Sequence, residues 1–162
     1  RSLEPIENDI PNSEPSFPFS LIMRTIPMPA SPTKRPNPAD SIAYGKYMTT
    51  MAACADCHTP MDKGEFIEHL SFAGGMEFML PNGQMIKSAN ITPDIEFGIG
   101  AYDKSDFIDM FKYYDGNDSL DVEPDDPNTF MPWKMYAGMT EQDLGAIYTY
   151  LRTLTPIKNN VD

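Results

Sequence analysis

The chain is 162 residues long, a length that suits one domain with modest extensions. Its 24 carboxylates against 12 lysines and arginines leave a net charge of −12, which removes the electrostatic attraction that nucleic-acid and anionic-lipid binding need. A hydrophobic fraction of 41% suffices for a packed core, 16 prolines and 10 glycines put much chain outside regular structure, and no apolar run is long enough to span a bilayer.

Nine of the sixteen prolines fall between Pro5 and Pro38, so residues 1–36 read as a proline-rich extended arm or linker. Phe17, Phe19, Leu21, Ile22, Met23 and Ile26 interrupt it, which suits an arm lying against a surface of its own domain or of a partner. Because the chain begins at Arg1 and not at Met, an upstream piece is expected, either a removed signal peptide or a membrane anchor.

Asn37 as cap, Pro38 at the first helical position and Asp40 near the positive dipole end predict a helix from Asn37 to about Ala53. Its expected inner face is Ile42, Gly45, Met48, Met51 and Ala52. Gly45, costly in mid-helix, fits a place where a second helix crosses closely. Met76–Leu80 and Gln84–Ser88 flank Pro81-Asn82-Gly83 and predict a short hairpin. Asp103 and Asp106 predict the start of a second helix with the stripe Phe107, Met110, Phe111 and Tyr114, ended by Gly116. Thr140 with Asp143 and the pair Met139 and Leu144 predict the start of a last helix whose face is Leu144, Ile147, Tyr148 and Leu151.

Both cysteines and one of two histidines sit in Cys54-Ala55-Asp56-Cys57-His58. Thiols three residues apart can form thioethers to the two vinyl groups of one porphyrin edge, and the following His can reach the iron, which is the pattern of a c-type haem site. A zinc site would have to draw on Cys54, Cys57, His58 and His69, and adjacent Cys57 and His58 can hardly turn onto one ion. A redox dithiol calls for a strand–helix unit with the pair at a helix start, whereas the motif here follows a predicted helix. A structural disulfide leaves the histidine unexplained.

These residues, together with Thr59-Pro60, Gly74-Gly75, Asn90-Ile91-Thr92-Pro93-Asp94, Gly98-Ile99-Gly100, Met131-Pro132-Trp133 and Asp143–Leu151, resemble class I monohaem cytochromes c. The nearest subgroup is the bacterial cytochrome c domains that accompany membrane-associated alcohol, gluconate and related dehydrogenases. The resemblance covers about Asn37 to Pro156. It implies that the first and last helices cross near the haem, with Gly45 facing Tyr148 or Tyr150. The subgroup usually carries Thr in place of Phe97 and Trp in place of Tyr102, and the acidic Asp118–Asp126 segment looks like an insertion.

Twelve methionines compete for a sixth iron ligand. Met48 and Met51 lie on a helix, Met61 is too near His58 in the chain, Met110 belongs to the core stripe and Met139 to the staple. Met131, in an irregular segment stiffened by Pro132, suits a ligand held from a loop, with Met135 or Met76 behind it. The resemblance maps the subgroup's ligand onto Met131. His69 reads as a surface residue. Trp133 is either a core aromatic or an indole donor to a haem propionate. Asn90 either shapes a turn or, as the resemblance suggests, donates to a propionate, and one of the two is expected close to it. The carbonyl of Pro60, or another nearby, is expected to accept from the unligated nitrogen of His58. Asp118, Asp121, Glu123, Asp125 and Asp126 read as a solvated loop, with a calcium site or a docking surface for a basic partner as the other readings.

The sequence therefore predicts an all-α chain of class I cytochrome c fold, three to four helices around one covalently attached haem c, with a small β-hairpin and an extended N-terminal arm. Residues 37–158 form the domain and 159–162 a tail. Cys54, Cys57, His58, Met131, Asn90 and Trp133 are the cofactor-binding residues, with His58 and Met131 on the iron. The expected function is electron transfer without catalysis, in an exported, periplasmic bacterial redox chain whose partners are a dehydrogenase, an oxidase or other cytochromes. The alternatives are a haem subunit fixed in a larger respiratory or filament assembly through its arm, as an oligomer or complex, and a haem enzyme or sensor with a labile sixth ligand.

Overall fold

The computed structural model describes residues 14–25, 33–80, 82–116 and 130–161. They divide into two units between Lys34 and Arg35. In the first, α1 is the single turn Phe19–Ile22, and Phe17, Phe19, Leu21, Ile22 and Met23 are exposed.

The second unit contains α2 (Ser41–Met51), α3 (Cys54–His58), the strand pair β1 (Met61–Asp62) and β2 (Glu65–Phe66), a 3-10 turn at Glu68–Leu70, the hairpin β3 (Glu77–Met79) and β4 (Met85–Lys87), then α4 (Lys104–Lys112), α5 (Trp133–Ala137) and α6 (Glu141–Leu151). No helix among the described residues is long and apolar enough to cross a membrane.

Helix α2 starts later than its sequence suggests. Asn37 Oδ1 accepts from the Ala39 amide in a preceding turn, and the cap is Asp40, whose side chain accepts from Ala43 N at 3.1 Å. Its inner face is also partly rotated: Gly45 and Ala52 are buried and Met48 packs on the core as expected, but Ile42 and Met51 are exposed, and Tyr44 and Thr49 are buried in their stead. The cause is the crossing with α6. A Cβ on Gly45 would fall on the Ala146 carbonyl and stand 2.9 Å from Tyr150 Cβ, so only glycine lets the backbones approach, and the residues around it turn inward. The aromatic at this contact is Tyr150.

Both other long helices begin where expected. Asp103 caps α4 and Thr140 caps α6, and in each the third helical residue, Asp106 or Asp143, returns a bond to the cap amide, completing a capping box. Helix α4 ends at Lys112, before Tyr114 and Gly116, which belong to the turn that follows. The hairpin pairs Glu77 with Lys87, Phe78 with Ile86 and Met79 with Met85.

Helix α6 packs on α2 and α4, and α4 on α5. Between them lies the core of Phe72, Ile99, Phe107, Phe111, Leu144, Ile147 and Leu151. The extended C-terminal segment is stitched to the loop before α4. Asn90 Nδ2 donates to the Ile157 carbonyl at 2.8 Å, and Asn159, placed in the tail by its sequence position, donates to the Ala73 carbonyl at 3.0 Å.

Candidate functional site

At the end of α2 the chain turns through Ala53, in the left-handed region at φ 54°, and re-enters a helix at Cys54. Residues three and four apart share a helix face, so the five-residue α3 puts Cys54, Cys57 and His58 side by side. The motif thus forms a helix of its own and begins at its first residue, a placement that a redox dithiol also favours. The thiol chemistry does not follow, because burial pushes Cys54 up to about 11, away from the thiolate that exchange requires. Both cysteines are free. Among the described residues no group of three or more His, Cys, Asp or Glu side chains could hold a metal ion, and His69 is exposed on its 3-10 turn, so the zinc reading has no cluster to stand on.

All three motif side chains line a cleft of about 650 Å³. His58 Nδ1 lies 2.7 Å from the Ala89 carbonyl oxygen. A carbonyl can only accept, so Nδ1 carries the proton and Nε2 keeps its lone pair. Burial pushes the imidazole below its ordinary value, with the Ala89 bond opposing it, and a neutral ring is the form that ligates a metal. The accepting carbonyl is Ala89, 31 residues on. That of Pro60 is taken by the Ile67 amide. Gly74 makes this contact fit: its amide donates to the His58 carbonyl at 2.8 Å, its φ is +71°, and a Cβ there would lie 2.5 Å from the carbonyl oxygens of Ala89 and Ser88.

Met131, Trp133 and Asn90 line the same cleft. Of the twelve methionines, Met110 and Met139 line it too, while Met76 and Met135 do not, so the thioethers that compete with Met131 are different from those its sequence neighbourhood suggests. Trp133 packs between Phe111, 5.3 Å between ring centroids, and Tyr114, 5.1 Å. Its indole Nε1 is buried without a hydrogen-bond partner. Asn90 is engaged differently: Oδ1 accepts from Thr92 N and Oγ1, and Nδ2 donates to the Ile157 and Asn159 carbonyls. Its side chain ties a turn to the C-terminal segment, leaving Trp133 as the donor of the two that faces the cleft unpaired.

Tyr136 has no counterpart in the sequence reading. It lines the cleft and its hydroxyl donates to the Ala52 carbonyl at 2.7 Å. Burial, and after it the Cys54 and Cys57 thiols, raises its phenol above the ordinary value. The available signal is its position three residues after Trp133, on the same face of a helix that Pro132 starts. Phe97 and Tyr102 line the cleft as well. The acidic Asp118–Asp126 segment lies outside the described residues.

No protein-family model matches the chain. It is 33% identical over 125 residues to the fructose dehydrogenase cytochrome subunit of Gluconobacter japonicus, an overlap of 77% of this chain and 24% of that one. It is 34% identical over 114 residues to the cytochrome c subunit of the quinone alcohol dehydrogenase of Gluconacetobacter polyoxogenes, covering 69% and 22%. It is 30% identical over 132 residues to the gluconate 2-dehydrogenase cytochrome c subunit of Pantoea cypripedii, covering 82% and 27%. The chain therefore spans about a quarter of the length of these relatives.

Homologues of this chain are cytochrome c subunits of dehydrogenases, electron-transfer subunits and not catalytic enzymes, as the motifs led us to expect. The helical fold with its small strand pairs is compatible with a cytochrome c, and such homologues imply haem c. The residues present fit that group. A cleft with mostly apolar walls carries two free thiols and an imidazole presented with its second nitrogen unprotonated. It also holds a buried indole donor whose missing partner a propionate oxygen would supply.

Proposed function

We propose that the chain is an exported monohaem electron carrier of class I cytochrome c fold, in which Cys54 and Cys57 would attach the haem and His58 and Met131 would hold its iron, accepting electrons from a dehydrogenase. The observation that carries the reading is that Cys54, Cys57, His58, Met131 and Trp133, with its unpaired indole, line one cleft. Haem c bound there supplies one-electron chemistry at its iron. The chain's own residues do the rest. His58 keeps its proton on Nδ1 against Ala89, which orients the ring and strengthens it as a donor. Trp133 would offer its unpaired Nε1–H to a propionate oxygen. Phe78 and Phe130, stacked at 5.2 Å on the cleft wall, help to exclude water. With Met131 on the iron no position is left open for a substrate, which separates a carrier from a haem enzyme. Export follows from the same chemistry, since haem attachment of this type accompanies translocation.

The deciding experiment is the visible spectrum of haem-loaded protein, oxidised, reduced, and reduced under carbon monoxide, with haem counted per chain. One haem and a c-type reduced spectrum indifferent to carbon monoxide is the expected result. A spectrum that shifts at once would replace the carrier with a haem enzyme or sensor.

A further inference from the structure

Resting on the reading of His58 and Met131 as the iron-holding residues, we propose that Tyr136, aided by Lys112, is a positioning residue that ties the Met131 segment to the end of α2, just before the cysteine helix α3, and so would keep the methionine on the iron. Met131 precedes the five-residue α5, which has no side-chain cap at its start and cannot be stable alone. Two of its polar contacts tie it to other elements. The Tyr136 hydroxyl crosses 84 residues of sequence to the Ala52 carbonyl, a backbone acceptor left over where α2 ends, two residues before Cys54. Lys112 Nζ donates to the Ala137 carbonyl at 2.6 Å, which closes the other end of α5 onto α4. The Tyr136 ring is held edge-on by Phe111 at 6.1 Å.

The tethers act on a weak bond. A neutral thioether competes poorly for iron, so its occupancy depends on how often the segment that carries it swings away. Without the Tyr136 hydroxyl, the buried Ala52 carbonyl is orphaned and a polar tie between the methionine segment and the end of α2 is gone.

The test compares haem-loaded wild type, Tyr136→Phe and Tyr44→Phe. Tyr44→Phe is the control because it removes another buried hydroxyl, bonded to Asp143 and remote from the cleft lining. In Tyr136→Phe the reduced protein is expected to bind carbon monoxide about fivefold faster, the open fraction that loss of one net hydrogen bond allows. The far-red sulfur-to-iron band should fade at lower temperature, with haem content unchanged. Tyr44→Phe should lose stability without gaining carbon monoxide uptake. Uptake in Tyr136→Phe equal to wild type, or equal acceleration in both variants, overturns the proposal. If Tyr136→Phe does not accumulate, Lys112→Met cuts the other tether and must also speed uptake, and no change there overturns it equally. A wild type that lacks the far-red band and binds carbon monoxide immediately refutes the axial-pair reading itself and takes the tether with it, a result that is distinct because it appears before any substitution is made.

Discussion

At the scale of single residues, the cleft makes the sixth ligand a three-way question. Met110, Met131 and Met139 all reach the wall, and Met131 and Met139 both pack against the core, but Met110 sits within α4 and Met139 directly precedes the Thr140 cap of α6, whereas Met131 lies in a bend stiffened by Pro132. Met131→Ala should therefore abolish the far-red band of the oxidised protein and open the reduced iron to carbon monoxide, while Met110→Leu and Met139→Leu leave both unchanged. Survival of the band in Met131→Ala would move the assignment to one of the other two. Gly74 is the second residue on which the site turns. Alanine there meets a φ of +71° and the carbonyls of Ala89 and Ser88, a strain of about 3 kcal/mol, worth a fall of about 10 °C in Tm. Because the Ala89 carbonyl is pushed off His58, the imidazole becomes a weaker donor, and the reduction potential of Gly74→Ala should rise. A folded variant with an unchanged potential would show that the Ala89 bond does not tune the iron.

Among the elements, the junction of α2 and α6 carries a pH signature. Arg35 donates to the Tyr44 hydroxyl at 2.9 Å, and Tyr44 in turn donates to Asp143 at 2.5 Å. Burial pushes the Asp143 carboxyl up, but the bonds from Tyr44 and Thr140 outweigh it and hold the group below its ordinary 3.8. The bond to Asp143, with burial, holds Tyr44 above its ordinary 10.0. A carboxylate with a depressed folded pKa contributes stability above its unfolded pKa and loses it as pH falls through the folded one. A phenol with a raised folded pKa contributes below pH 10 and loses it as pH rises. Tyr44→Phe should lower the urea midpoint at pH 7 and flatten its decline at both extremes, since both shifts share one bond. Equal slopes in the two proteins below pH 4 and above pH 10 would remove that bond as their origin. Much of this level was legible beforehand: the capping boxes of α4 and α6 are written in four residues each, and the Asn-Gly hairpin in two. Helices α3 and α5 were not, because five residues carry no periodicity. The inner face of α2 was partly misjudged because Gly45 sets it through a contact with Ala146, a hundred residues away. In the site, Cys54, Cys57 and His58 were visible as a spacing, whereas the Ala89 carbonyl and the Ala52 acceptor belong to backbone, which sequence does not mark.

For the whole molecule, the cleft sets a condition on folding. Its walls are mostly apolar and are contributed by α3, β3 and β4, α4, α5 and α6, so a haem held there would also join the elements. Of the seven core residues, all but Phe72 line it: Ile99, Phe107, Phe111, Leu144, Ile147 and Leu151. In a variant that cannot hold the group, the mostly apolar walls of this cleft of about 650 Å³ face water, a loss of apolar burial that weighs heavily against the marginal stability of a domain of this size. Cys54→Ser/Cys57→Ser, which cannot form thioethers, should consequently retain part of its helical signal yet lose near-ultraviolet circular dichroism, bind a hydrophobic dye and melt without a sharp transition. The crossing of α2 and α6, whose contact residues Gly45, Ala146 and Tyr150 do not line the cleft, is where residual helix should persist, and hydrogen exchange should find its protected amides there. A cooperative melt of the double variant within a few degrees of the haem-loaded protein would mean that the helices carry the fold unaided and that the cleft is a pocket in a finished structure, not the place where the structure is completed.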